Sequence, residues 1–270
     1  MSVVVNGAIF CVTGNIGAGK STFAKAFAAR LRECYPSKEV IHITEQVDPF
    51  FLARLYESHA RNNVAATLPA DESAKLLAEK PTHLGIVTYF QTEKQHSRWR
   101  HVIEAKEARA RGALVVLDTD PRHDAVFARA NLDAYALGLY EQLFRLYHNE
   151  IGFTPDVRIF IDVTPELCHK HIGTRASADP DRSCESAITV DYLRLLDEQF
   201  HASKQFGCEA TFDVEFKPTA DSHLVASDVV NDLVLCSALP IYDLEDHDFG
   251  PLRRSGTVQI TQSPRVAVCV

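Results

Sequence analysis

Residues 14–22 read GNIGAGKST. The stretch satisfies the pattern G-x-x-x-x-G-K-[ST] through Gly14, Gly19, Lys20 and Ser21. Its glycines let successive backbone N–H groups turn inward into an anion-binding nest. That nest runs through Gly14, Asn15, Ile16, Gly17, Ala18 and Gly19. A helix starting here adds the positive end of its dipole. Lys20 reaches the outer phosphates, the Ser21 hydroxyl is placed to ligate Mg²⁺, and Thr22 closes the motif. The ligand predicted is a nucleoside triphosphate. The reaction stays open, because GTPases, motor ATPases and small-molecule kinases share the loop.

The flanks support the reading. AIFCVTG (8–14) is a short apolar run suited to a buried strand, and STFAKAFAARLREC (21–34) carries Phe23, Ala26, Phe27 and Leu31 at helical spacing. Further out, EVIHITE is a second strand ending at Glu45. Residues 50–80 are helical with a looser middle from Asn62 to Pro69, and a long helix runs from Thr82 to a stop at Gly112. ALVVLD is a third strand, apolar throughout and so suited to a parallel sheet covered on both sides. Helices over 124–150, a strand in DVRIFIDV and a helix from TPELCHKHI follow. For that last helix Thr164 is the expected N-cap and Pro165 the first helical residue. GTRASADPDRSCES reads as a polar loop, then come a helix in ITVDYLRLLDEQFHASKQF and a last strand in FDVEFKP. Strands alternating with helices predict an α/β fold, a P-loop NTPase-type parallel sheet with helices on both faces. From Ser237 no period is sustained, so residues 237–270 are expected to form an extension, loosely packed or disordered.

Composition removes other classes. The 270 residues, 46% of them apolar, suffice for one substantial core. A net charge of −8 with interspersed signs and no basic block argues against a nucleic-acid or membrane-surface partner. Seven scattered cysteines without a C-x-x-C pair predict reduced thiols in a cytoplasmic setting, not a disulfide framework or zinc site. No apolar run approaches the roughly 18 residues that span a bilayer. The N-terminus lacks a basic segment and leads straight into the first strand. No N-K-x-D element for guanine is present. The DFG at Asp248–Gly250 stands without the H-R-D loop or V-A-I-K strand of a protein kinase.

Five segments in order resemble the deoxynucleoside kinase family from about residue 8 to 235. These are GNIGAGKST, TEQVDPF, YFQTEKQHSR, DVRIFIDVTPELCHKHI and DRSCESAITVDYL. The resemblance makes residues 1–236 a deoxynucleoside kinase-like domain with an arginine-containing lid, moving the γ-phosphoryl group of ATP to a deoxynucleoside 5′-hydroxyl. It implies a homodimer formed through helices. Glu45, ending a strand on the same sheet edge as the P-loop, is by resemblance the general base. Gln91 and Arg98, seven residues apart on one helix, face the nucleobase, and Phe90 joins them. Asp118 is the acidic residue that works with Mg²⁺, Asp124 and Phe127 match a later Asp and aromatic, and Glu185 matches the ligand of the sugar 3′-hydroxyl. Arg175 and Arg182 supply lid charge to the moving phosphoryl group.

The chain departs from the family in three places. Thr119 stands where an arginine beside the base carboxylate and the 5′-oxygen is expected, and Arg122 is the candidate to replace it. His171 stands for a lid arginine, and Ala78 for the tyrosine that accompanies Glu185. Asp124 with Gln91 and Arg98 resembles the branch accepting dC, dA or dG, since thymine has no exocyclic amino group for a carboxylate to accept from. Two alternatives remain: a nucleoside monophosphate kinase, and an ATP-binding regulatory subunit without activity, which the three departures would suit.

Overall fold

The computed structural model describes residues 7–45, 47–65, 67–78, 83–204, 212–218 and 256–262. Strand β1 (Ala8–Gly14) leads through the glycine loop into helix α1 (Lys20–Cys34). Then come β2 (Val40–Ile43), α2 (Pro49–Ala65), α3 (Ala70–Ala78), α4 (His83–Ala110) and β3 (Leu114–Leu117). The second half holds α5 (Pro121–Asn131), α6 (Ala134–Ile151), β4 (Val157–Ile161), α7 (Pro165–Ala178), a 3-10 segment (Pro180–Ala187), α8 (Val190–Lys204), β5 (Phe212–Pro218) and β6 (Gly256–Gln262). The break between α2 and α3 falls inside the loose middle expected there.

The sheet has the order β2-β3-β1-β4-β5-β6, and all pairings are parallel except β5 with β6. The continuous apolar runs are explained by burial on both faces. Along β1, Phe10 and Val12 point to α1, where Phe23, Phe27 and Leu31 meet Val116 of β3 and Ile159 of β4. Ile9 and Cys11 point the other way, to Trp99, Val102 and Ala105 of α4. Each such large side chain contributes about 1.5–3 kcal/mol by leaving water. The 28-residue α4 is roughly 42 Å long, so its second half covers the sheet while its first half runs on to the sheet's C-terminal edge. Among the described residues, Cys11, Cys34, Cys168 and Cys184 are free thiols.

Three expectations need correction. The 173–186 stretch is helical: α7 continues to Ala178 and the 3-10 segment begins at once. The hydroxyls that suggested a loop are satisfied within the helix, Thr174 donating to Lys170 O and Ser177 to Gly173 O. Asp179 then caps the next turn by accepting from Asp181 N at 3.0 Å. Thr164 occupies the N-cap of α7, but its hydroxyl makes no capping bond, leaving Pro165 as the start signal. Lastly, part of the 237–270 extension joins the sheet, since β6 pairs antiparallel with β5 from Gly256 to Gln262. Its sequence GTVQITQ alternates Val258 and Ile260 with polar residues, the period of a strand. The extension's start at 237 lies outside the described residues.

Candidate active site

One pocket opens at the C-terminal edge of the parallel strands, where open α/β sheets bind ligands. Its floor is the glycine loop. Gly19, at φ 87°, caps α1 in a left-handed conformation. Gly17, at φ +78°, lies so close to α7 that a Cβ would come within 2.5 Å of Cys168 O. Both positions therefore require glycine. Asn15 is buried, donates to Leu193 O at 2.8 Å and accepts from Ile16 N, tying the loop to α8. Lys20 folds back over the loop and donates to Gly14 O at 3.0 Å and Asn15 O at 2.8 Å. Burial pushes its pKa down to about 8, against the pull of Glu45. Gly14, Ile16, Gly17, Lys20 and Ser21 line the pocket. Ala18 is buried beneath the loop, and Thr22 is exposed.

Glu45 follows β2 and lies at the centre of the pocket's charge network. Its Oε1 accepts from Arg98 Nη2 at 2.8 Å and pairs with Lys94 Nζ at 3.3 Å. The Thr119 hydroxyl approaches its Oε2 at 3.5 Å. Burial would raise the carboxyl's pKa, but Arg98, Lys94 and Lys20 outweigh it and hold the group down at about 2. The carboxylate is thus ionised at any physiological pH and accepts hydrogen bonds.

One wall comes from α4 and α5. Gln91 is 3% exposed, Arg98 7% and Asp124 0%, which makes these polar side chains part of the interior. Arg98 bridges the carboxylates, pairing with Asp124 through Nη1 and with Glu45 through Nη2. The Tyr140 hydroxyl donates to Asp124 Oδ2 at 2.8 Å. Phe90 and Phe127 line the same cavity. The opposite side is the lid, where both expected arginines converge on Glu185. Arg175 Nε and Nη2 lie 2.8 and 2.6 Å from Oε2, and Arg182 Nη1 lies 2.9 Å from Oε1. Glu185 is 2% exposed, so it is a buried carboxylate held by two cations.

The structure brings together Lys20, Ser21, Glu45, Phe90, Gln91, Arg98, Asp124, Arg175, Arg182 and Glu185. It does not bring Arg122. That guanidinium grips the buried Asp120 carboxylate, with Nε–Oδ1 at 3.1 Å and Nη2–Oδ2 at 2.8 Å, and lies over the Phe153 ring. Pro121 starts α5 between them, and Asp120 also caps that helix through Arg122 N, so the arginine is tied to its own cap. Asp118 directly follows β3 but does not line the pocket. It is buried, with Oδ1 2.6 Å from His42 Nε2 on the neighbouring strand. His171 contacts Gly17 O at 2.9 Å and so supports the loop from α7.

Among the pocket residues that escaped the sequence reading, Lys94 and Tyr56 bear on its chemistry. Lys94 lies three residues after Gln91 and four before Arg98, and that spacing on one helical face was an available signal. Tyr56 of α2 also lines the cavity, and its hydroxyl feels the charge of Glu185. Nothing local marks it, because Leu52, Leu55 and Tyr56 share an ordinary amphipathic stripe.

The sequence profile of the deoxynucleoside kinase family matches residues 10–234, a span that contains every residue of the pocket. No curated protein matches the chain. Among solved structures, deoxyadenosine kinase from M. mycoides is similar in fold. With dATP bound, it has a TM-score of 0.57 at 16% identity, covering 84% of this chain and 98% of that one. With the products dCMP and dCDP bound, the values are 0.53 and 17%, over 84% of this chain and 99% of that one. With dCTP bound they are 0.51 and 15%, over 84% and 99%. With the profile match running from the first strand to beyond β5, the chain belongs to the deoxynucleoside kinase family.

Proposed function

We propose that this chain transfers the γ-phosphoryl group of ATP to the 5′-hydroxyl of a deoxynucleoside whose base carries an exocyclic amino group: dC, dA or dG. The observation that carries the reading is the position of Glu45. Its carboxylate touches Arg98 on the Gln91–Asp124 wall and lies within the electrostatic reach of Lys20 in the glycine loop. A nucleoside with its base against that wall presents its sugar to the carboxylate and its 5′-oxygen to the loop. Phosphoryl transfer asks the protein chiefly for alignment and charge neutralisation, and Lys20, Arg175 and Arg182 supply both. Glu45 accepts the hydroxyl proton as the bond to phosphorus forms.

Asp124 favours amino-bearing bases, since its carboxylate accepts but does not donate. The likeness to a deoxyadenosine kinase seen with dATP, dCTP and dCMP agrees with that preference. Tyr56 is the candidate to accompany Glu185 at the sugar 3′-hydroxyl, in place of the tyrosine missing at Ala78. Mg²⁺ would supply charge neutralisation on the triphosphate, and Ser21 fits it, because one protein oxygen plus phosphates and waters suits this ion. Asp118, paired with His42, is not among the residues that line the pocket.

A homodimer through α4 and α6 fits their exposed apolar side chains Ile103, Tyr135, Leu139 and Leu146. Among the described residues no helix is long and apolar enough to cross a membrane.

The test is transfer of labelled γ-phosphate from ATP to each of the four natural deoxynucleosides. Product from dC, dA or dG with little from thymidine is expected. Product from monophosphates alone would identify a nucleotide kinase. ATP binding without any transfer would identify a regulatory subunit.

A further inference from the structure

We propose that Lys94 is a positioning residue for phosphoryl transfer, holding the Glu45 carboxylate in place with the cationic support that position 119 does not provide. The inference rests on the reading of Glu45 as the residue that receives the hydroxyl proton.

The geometry around that carboxylate leads there. Two cations share its Oε1, Arg98 at 2.8 Å and Lys94 at 3.3 Å, while Oε2 faces only the weak 3.5 Å approach of the Thr119 hydroxyl among the contacts described. Arg98 is divided between Glu45 and the fully buried Asp124. A nucleobase arriving at the wall of Gln91, Arg98 and Asp124 competes for the same guanidinium. If Arg98 turned to the base with Lys94 absent, only the charge of Lys20 would offset the Glu45 carboxylate in a closing pocket. Lys94 prevents that.

Lys94 is well suited to the task. It is 7% exposed, and lysines are rarely this buried unless paired. Its ammonium group lies over the Phe90 ring, 5.6 Å from the centroid, so the aromatic face helps hold the charge inside. It sits on α4 between Gln91 and Arg98, so the helix that aims the base-facing groups also fixes the cation on Glu45. Burial pulls the pKa of Lys94 down while Glu45 pushes it up, as in a coupled pair.

The experiment uses Lys94→Met, alone and with Thr119→Arg. Thr119 lines the pocket beside Oε2, so an arginine there extends towards the same carboxylate from the other side. Loss of alignment is expected to lower kcat for the preferred deoxynucleoside about ten- to hundredfold, with KM for ATP within about twofold. Removing one neighbouring cation should move the titration of the Glu45 carboxyl carbon, assigned with Glu45→Gln and followed by ¹³C NMR, upward by about one pH unit. Thr119→Arg in the Lys94→Met background should recover at least about fivefold of the lost kcat. Lys94→Gln replaces Lys94→Met if the latter does not fold. A kcat within twofold of the parent together with an unmoved carboxyl titration overturns the proposal. If the parent chain transfers no phosphate to any deoxynucleoside, the functional reading falls, and the titration alone decides whether Lys94 controls Glu45.

Discussion

Replacing Arg98 with methionine removes one guanidinium and leaves two carboxylates of very different burial. Glu45 has a side chain 23% exposed and keeps Lys94 at 3.3 Å, so its loss is close to that of a surface pair, about 0.5–1 kcal/mol. Asp124 is 0% exposed and keeps the Tyr140 hydroxyl at 2.8 Å, which solvates but does not neutralise it. Breaking a buried pair by removing one partner costs about 3–5 kcal/mol. The sum is about 3.5–6 kcal/mol, a large share of the roughly 5–15 kcal/mol that stabilises an ordinary domain. The assay is urea unfolding of the ligand-free protein, run on Arg98→Met, Asp124→Asn and the double variant. The carboxylamide carries no charge to strand, so the double variant should recover about half of the Arg98→Met loss; the coupling is that recovery plus whatever Asp124→Asn alone costs, and so at least about 2 kcal/mol. A single-variant loss below about 1 kcal/mol, or additive effects in the cycle, would refute the view that the wall is held together by a buried ion pair. The role in base selection proposed for that wall would then lose its physical basis.

Gly17→Ala should weaken ATP binding at least about hundredfold, because the left-handed backbone disfavours alanine and its Cβ would sit 2.5 Å from Cys168 O. Isothermal calorimetry reads this directly, and affinity within threefold of the parent would contradict it. Lys20, with a pKa pushed down to about 8, is charged below that pH and neutral above it. The Kd for ATP should therefore rise between pH 7.5 and 9, approaching tenfold per unit, whereas Lys20→Arg should show a flat profile because guanidinium does not titrate there. Arg122→Ala should lower stability by about 2–4 kcal/mol, as Asp120 loses its partner, while kcat of the folded fraction stays within twofold. A large kcat loss with little change in stability would return Arg122 to the active site.

The glycine loop, its strand and its helix were legible because their chemistry is local: a nest of amides needs glycines at fixed offsets, and so does the turn into α1. Gln91 and Arg98 were legible for a similar reason, since helical period places them on one face. Lys94 obeys the same period, but nothing in the sequence gives a reason to expect a cation there. The alternation in GTVQITQ was equally available, and β6 follows from it. Arg122 could not be judged from sequence, because proximity along the chain to Thr119 says nothing about the side of α5 on which its side chain lies.

By itself, the sequence determined the order of strands and helices as far as β5, the glycine loop and the set of charged residues available. Only tertiary structure decided how those charges pair. It put Arg98 between Glu45 and Asp124, Arg175 and Arg182 on Glu185, and Arg122 on Asp120. The physical reason is that a buried carboxylate takes whichever cation the packing of distant elements delivers within about 3–4 Å, and that distance is set between helices, not along them.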